Sequence, residues 1–269
     1  MSSAIAPSYT PADASAKPSQ TASALTVEAG RQRLALTIPT LREAKNLPGL
    51  LSHIRSVLEP VGIAYEIIVV DDDSRDGTEE IVTAISEEDP RVRLIVRKGE
   101  RGLSGAVLTG WHSTDASILG VMDADLQHPP ELLAALVAAI LEGNDLAIGS
   151  RYTAGGEVGQ WNPIRKALST VAVWATWPIQ RPGVRAYDPM TGYFMLRREV
   201  IDGIEFQPTG FKLLLEILVR GRLRKVKEVP LAFGSRAEGS SKANFKVGWD
   251  YFKLLVRLYA GRFGFGRRG

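Results

Sequence analysis

Residues 121 to 131 read VMDADLQHPPE, an apolar run that ends on Asp123 and Asp125, one residue apart, with Gln127 two positions further on. Three oxygen donors at alternate positions of an extended turn form a hard ligand set suited to Mg²⁺ or Mn²⁺. Two carboxylates fill only part of such an ion's coordination sphere, which leaves room for a diphosphate. Acid pairs of this spacing also occur in ordinary solvated turns, and the place directly after a buried strand is what favours the chemical reading. A second acidic group, DDDSRDGT at residues 71 to 78, follows the run IIVV. Counted from Asp72 it imitates the first half of an EF-hand loop, but the twelfth position is Thr83, where a bidentate Glu is needed, so the spacing argues against calcium. Asp76 and Gly77 fit a polar turn that opens a helix. Asp71 and Asp72 stand where acidic side chains at the mouth of a crevice can accept hydrogen bonds from a base or ribose.

Elements of a recognisable order must hold these groups. From about Arg31, short β-branched runs alternate with helical patterns. RLALTIPT is followed by a Leu-rich amphipathic stretch ending near Leu58, then YEIIVVDDD, a helix across Glu79 to Glu88, and VRLIVRK. A helix from Ser104 to His112, the strand SILGVMDAD, the helix PELLAALVAAILEG and the strand DLAIGSRY come next. Such βαβα alternation predicts a mostly parallel sheet with helices on both faces, an α/β Rossmann-like arrangement in a single domain. Ligands in that architecture gather at the carboxyl ends of the strands. The polar clusters PT, DDDS, DADLQ and GSR each follow an apolar run, so they converge on one rim. Pro129 and Pro130 set the chain up for the next helix, with Glu131 in its first turn and Gly143 at its end. Beyond Arg151 the alternation weakens, through a helix near Leu168 to Trp177, DPMTGYFMLRR, the helix FKLLLEILVRG and the strand VKEVPLAF. Lys212 and Glu216 of that helix are expected to face the site, while its apolar positions are core. His53, His112 and His128 lack ligand spacing; the first two read as helix-surface or packing residues and His128 as a residue that shapes its turn.

The chain has 269 residues, 45% of them hydrophobic and 23% charged, with a formal net charge of +3. Those values describe an ordinary globular protein with a modest preference for anionic partners. It has no cysteine, which excludes disulfides, thiolate nucleophiles and Cys metal sites. Residues 1 to 29 are rich in Ser, Ala, Pro and Thr and read as a disordered tail instead of a secretory signal. No segment supplies the roughly 18 consecutive apolar residues of a spanning helix. ALSTVAVWATWPI (Ala167 to Ile179) and residues 244 to 269 mix aromatic and aliphatic side chains with Lys and Arg, as interfacial helices do. Packing on the core explains the first pattern equally simply, while the C-terminal one favours a membrane surface. Arg257, Arg262, Arg267 and Arg268 would favour an anionic leaflet.

In order and with near-constant spacing, Pro39-Thr40 with Glu43, VVDDDSRDGT, GLSGAV, VMDADLQHPPE, IGSRY and DPMTGYFMLRR resemble a family 2 inverting glycosyltransferase of the GT-A fold, in its polyprenyl (dolichyl) phosphate mannosyltransferase branch. The match runs from about residue 33 to 243, so a GT-A domain over residues 30 to 243 is expected. The family has PTYNE where this chain has PTLRE, so Leu41 and Arg42 depart from its pattern. The resemblance implies that Pro39, Glu43, Asp71 and Asp72 line the nucleoside pocket, with Asp123 and Lys242 also on the donor. It implies Mg²⁺ or Mn²⁺ on Asp123, Asp125 and Gln127, the acceptor phosphate on Arg151, Arg165 and Ser169, and Arg236 over the donor phosphates. Asp125, Arg151 and Arg236 are then the residues at the reacting groups. The implied reaction moves mannose from GDP-mannose to a polyprenyl phosphate. Relatives continue into transmembrane segments, so attachment of this chain would be peripheral, at the cytoplasmic membrane face, or through a membrane-protein partner.

The chemistry is consistent with a phosphate acceptor. A hydroxyl acceptor would need a general base. A phosphate monoester has a second pKa of roughly 6 and is already largely dianionic at neutral pH. The protein must instead hold two anions together, and at about 4 Å each pair of unit charges repels by roughly 4 kcal/mol at an effective dielectric near 20. A divalent cation and guanidinium forks offset that repulsion. Direct displacement would convert an α-linked donor to a β-linked product. Two alternatives stay open at this level: a UDP-glucose donor with the same acceptor, and a nucleotide- or metal-binding module without turnover. A nucleotidyltransferase lacks its Gly-rich basic loop in IPTLREAKNLPG, and no base-reading motif accompanies the positive charge, which argues against a nucleic-acid partner.

Overall fold

The computed structural model describes residues 32–154, 170–207, 212–232 and 245–263. Seven strands form one sheet: β1 (Arg33–Thr40), β2 (Ala64–Asp71), β3 (Val92–Val96), β4 (Ile118–Val121), β5 (Leu146–Ser150), β6 (Phe194–Arg197) and β7 (Val226–Pro230). Helices whose bounds lie within the described residues accompany them: α1 (Leu47–Leu58), α2 (Thr78–Glu88), α3 (Leu103–His112), α4 (Leu132–Leu141), α5 (Leu213–Arg220) and α6 (Phe245–Phe263). The strand order is β3-β2-β1-β4-β6-β5-β7, and every pairing is parallel except those of β6 with β4 and β5.

The strand sequences explain why both faces of this sheet are covered. Side chains alternate across a strand, and β1 sends Leu34, Leu36 and Ile38 into one apolar layer and Ala35 into the other. β2 divides in the same way, Ile67 and Val69 against Ile68 and Val70. A strand buried on both sides has to be apolar throughout, which is what IIVV is. The first layer is closed by α1 and α4 through Leu50, Leu51, Ile54, Leu133, Leu136 and Ile140. The second is closed by α3 and α5 through Val107, Trp111, Leu214 and Ile217. Each fully buried Leu or Ile stabilises the fold by about 1.5–3 kcal/mol relative to exposure, so these layers fix the strand ends firmly.

The order of the strands then places the site. The chain steps from β1 outward to β2 and β3 and returns to the other side of β1 as β4, so the crevice opens at the carboxyl ends of β1 and β4. Thr40 pairs with Asp71 and Asp71 with Val96, which aligns the last residues of β1, β2 and β3. The antiparallel β6 begins where β4 and β5 end: Phe194 pairs with both Val121 and Ile148. The residues just before Phe194 therefore join the same rim. The alternation of the sequence did not anticipate this strand's direction.

α6 packs on α5 and on the helical residues 170–174. Leu254 and Leu258 bury against Leu215 and Ile179. Tyr251 and Tyr259 donate to the carbonyls of Ala172 and Ala175 at 2.6 and 2.8 Å.

Candidate active site

The β1–β3 side of the rim is built from acids with partners inside the protein. Asp71 is buried, and it accepts from Thr40 Oγ1 at 2.9 Å and from the Ser74 amide at 2.8 Å. The Ser74 hydroxyl also contacts it and in turn accepts the Arg42 amide at 2.8 Å. Asp72 is buried beside Arg97, whose Nε and Nη2 donate to Oδ1 at 2.8 and 2.5 Å. The Gly102 amide, at the head of α3, donates to Oδ2 of Asp72 at 2.8 Å. Arg97 also donates to the Gly102 carbonyl at 3.0 Å, and a Cβ on Gly105 would fall 2.6 Å from its Nη1. Asp76 starts α2 as expected of a polar turn, accepting the Thr78 amide at 3.2 Å and its hydroxyl at 2.6 Å, with Gly77 at φ 94°. Burial pushes the Asp76 carboxyl up, but the hydrogen bonds from Thr78 and Ala44 outweigh it and leave the pKa lowered. Pro39 lies near the end of β1, and Glu43 accepts from Asn46 Nδ2 at 2.6 Å just ahead of α1. These four expected nucleoside-pocket residues do come together at one end of the sheet.

The turn after β4 is braced from below. The Asp123 amide donates to Nδ1 of His128 at 3.1 Å, and the His128 ring stacks on Tyr193 with centroids 4.8 Å apart. The Tyr193 hydroxyl donates to the Pro129 carbonyl at 3.0 Å. Burial lowers the His128 pKa to about 4, the Asp125 charge opposing and the Arg151 charge assisting. The ring is therefore neutral near pH 7, and its 3.8 Å approach to Asp123 Oδ2 is not an ion pair. Asp125 accepts the Gln127 amide at 3.2 Å. Between them Leu126 adopts φ 62° with a half-exposed side chain. Non-glycine residues with positive φ cost about 1–3 kcal/mol and persist where the surroundings hold them. All four among the described residues, Arg42, Asp73, Arg75 and Leu126, lie in loops of this rim.

Gly192 explains the glycine of DPMTGYF. A Cβ there would sit 3.0 Å from Oδ2 and 3.2 Å from Oδ1 of Asp123, so the carboxylate rests against bare backbone. On the same side Arg151 forms a two-pronged pair with Asp188, Nε to Oδ2 and Nη2 to Oδ1, both at 2.8 Å. Asp188 is fully buried, and Glu228 of β7 accepts the amides of Tyr187 and Asp188 at 3.0 Å each. Burial works against the Arg151 charge, but the hydrogen bond and the negative charge of Asp188 together outweigh it and raise the pKa. Lys212 is coupled electrostatically to Arg151, Asp188 and Asp123, and burial lowers its pKa to about 8. Glu216, by contrast, does not turn to the site: it is buried between Arg220 at 2.7 Å and Arg257 at 3.1 Å, and so ties α5 to α6. Arg165, Ser169, Arg236 and Lys242 lie outside the described residues.

Among the described residues no cluster of three or more His, Asp and Glu side chains forms a ready cage. The donors at the turn are instead two carboxylates and an amide, with Asp123 cradled by Gly192. That set fits a hard divalent cation bound through few protein oxygens, which takes its remaining ligands from substrate phosphates and water. Asp188, Glu228, Arg97 and Gly192 were not singled out from the sequence. Arg97 follows β3 directly but stands among Arg93 and Lys98 in VRLIVRK, so the sequence does not single it out.

A family model described as Glycosyl transferase family 2 matches residues 36–207. The chain belongs to glycosyl transferase family 2, with the GT-A fold. It is 45% identical over 227 residues to the dolichol-phosphate mannosyltransferase of Pyrococcus furiosus, covering 84% of this chain and 63% of that one, less than two thirds of its length. It is 35% identical to the Saccharomyces cerevisiae protein of the same name, over 86% of this chain and 88% of that one. To the polyprenol monophosphomannose synthase of Mycolicibacterium smegmatis it is 36% identical, over 78% of this chain and 81% of that one. Among solved structures, glucosyl-3-phosphoglycerate synthase from Mycobacterium tuberculosis, in complex with Mn²⁺, UDP and glucosyl-3-phosphoglycerate, superposes with a TM-score of 0.66 over 93% of this chain and 86% of that one. At 18% identity this likeness shows the fold.

Proposed function

We propose that the chain transfers mannose from GDP-mannose to a polyprenyl phosphate, with inversion at the anomeric carbon. The names of the relatives support the acceptor and the sugar. The observation that carries the reading is the meeting, on one rim, of a carboxylate turn with the cationic pair Arg151 and Lys212 and, among the described residues, with no histidine poised as a base. The one histidine there is buried and uses Nδ1 to accept a backbone amide. A phosphate acceptor makes such a base unnecessary. An acceptor oxygen bonds to C1 of the sugar while the C1–O bond to the diphosphate breaks, its electron pair leaving with GDP. Held on Asp123, Asp125 and Gln127, Mg²⁺ or Mn²⁺ would supply charge neutralisation of the leaving diphosphate. His128 and Tyr193 keep the turn in register, and the β1–β3 acids shape the nucleoside wall.

The lipid tail of the acceptor needs an apolar surface, and α6 offers one. Trp249, Phe252 and Val256 are half-exposed at i, i+3 and i+7, with Val171 and Trp174 exposed on the adjoining helical residues. No helix among the described residues is long and apolar enough to cross a membrane. We propose peripheral attachment of this face, with Arg262 on the same helix, to the anionic cytoplasmic leaflet, directly or beside a membrane-protein partner.

The test is transfer to farnesyl phosphate with Mn²⁺, comparing GDP-mannose with UDP-glucose. Product from GDP-mannose is expected, in the β configuration by NMR coupling. Product from UDP-glucose alone would reassign the donor, and no product from either would overturn the acceptor.

A further inference from the structure

Charge on the transfer side of the rim is unevenly matched. Arg151 has its fork closed on Asp188, both oxygens at 2.8 Å. Lys212 interacts electrostatically with this pair and with Asp123. Among the described residues, however, no carboxylate comes within ion-pair distance of its ammonium. Its backbone, moreover, is well placed. Lys212 precedes α5 with φ −114° and ψ 40°, outside helical geometry, and the next three residues are buried leucines. Leu213 and Leu214 pack in one layer with Ile148 and Phe194, from the strands that run into Arg151 and out of Gly192. The backbone that carries Lys212 is thus anchored under the rim.

An ammonium held among protein atoms without a close counterion is unfavourable, and burial together with the Arg151 charge moves its pKa down to about 8. An arriving anion would relieve this. Asp123 and Asp125 belong to the cation that meets the donor diphosphate. The acceptor dianion, arriving on the Arg151 side, meets the ammonium of Lys212.

We propose that Lys212 binds the acceptor phosphate directly, on the Arg151 side of the rim. The inference rests on the reading of the acceptor as a phosphate monoester. During transfer the attacking oxygen forms its bond to C1 and the phosphate passes from dianion to monoanionic diester, with no proton moved. A cation on that phosphate is therefore used more fully before the transition state than in it. Loss of the cation should raise the KM for acceptor and change kcat little.

Lys212→Met, assayed with GDP-mannose, Mn²⁺ and farnesyl phosphate, is expected to raise the acceptor KM by about 10- to 100-fold, the range for a lost charge-assisted hydrogen bond. GDP affinity in Mn²⁺, measured by calorimetry, should stay equal or tighten, because a positive charge beside Asp123 has gone. Lys212→Arg should restore most of the acceptor KM. An acceptor KM within twofold of wild type in Lys212→Met overturns the proposal. So does a loss of GDP affinity equal to the loss in acceptor KM, or a fall in kcat alone. Failure of the wild-type enzyme to use farnesyl phosphate would instead strike the acceptor reading itself, so the two failures are separable.

Discussion

The two halves of the rim treat charge in opposite ways. On the β1–β3 side, Asp71 and Asp72 are bound to Thr40, Ser74, Arg97 and the Gly102 amide within the fold. On the β4–β6 side, Asp123 lies against a bare glycine, Asp125 takes an amide of its own turn, and Lys212 has no close carboxylate among the described residues. The first half is finished without substrate. The second is the half where we propose that charge arrives with substrate. The same residue type, aspartate after an apolar strand, is therefore closed by partners of the fold in one place, and in the other rests where we propose that it holds the metal.

The hardest blow to this contrast is aimed at the turn. Asp125→Ala is expected to reduce transfer at least about a thousandfold, the scale on which removal of key electrostatic groups acts, while the melting temperature stays within a few degrees. The mirror experiment is Asp72→Asn. Leaving Arg97 buried without its acid should destabilise the protein by about 3–5 kcal/mol, read from urea unfolding. Restoring an apolar pair with Asp72→Leu and Arg97→Met should recover much of that loss. If Asp72→Asn leaves stability unchanged, the two halves do not differ as described.

Much of this arrangement could be read in advance, for physical reasons. Strands buried on both faces must be apolar along their length, so β1, β2, β4 and β5 stood out, and the acids that ended them marked the rim. β6 did not declare its direction, because antiparallel pairing with β4 and β5 is set by partners far away in the chain. Glu216 was misplaced for a local reason: four-residue spacing puts it on the face of Lys212 only if both are helical, and Lys212 lies before the helix. The partnership of Arg97 with Asp72 joins residues 25 apart in sequence, and no local pattern announces it. His128 was legible as a shaping residue, but the stacking on Tyr193 that makes it one needed the fold.

A smaller effect sharpens the contrast within the transfer half. Gly192→Ala places a methyl group 3.0 Å from Asp123 Oδ2, and the carboxylate must shift by a few tenths of an ångström. Displacement on this scale at a reacting centre is expected to slow transfer by about 10- to 100-fold. Circular dichroism and the melting curve should change little. Wild-type rates in Gly192→Ala would mean that the position of Asp123 is not critical.

The smallest effect concerns an acid remote from both halves. Asp89, at the opposite end of the sheet, accepts from Arg91 Nε at 2.9 Å and from Arg55 at 3.2 Å, and the Arg91 bond in particular lowers its pKa from 3.8 to about 2. A carboxyl whose folded pKa lies below its unfolded value adds stability that is complete above the unfolded value. That stability is lost as pH falls from about 4 through about 2. Asp89→Asn should accordingly be less stable than wild type at pH 5, and the gap in urea midpoint should close as pH approaches 2. Transfer at neutral pH should be unaltered, because this acid touches neither the nucleoside wall nor the turn. A gap that is constant with pH would mean that Asp89 contributes packing and hydrogen bonding without its charge, and an activity loss would mean that the far end of the sheet is coupled to the rim.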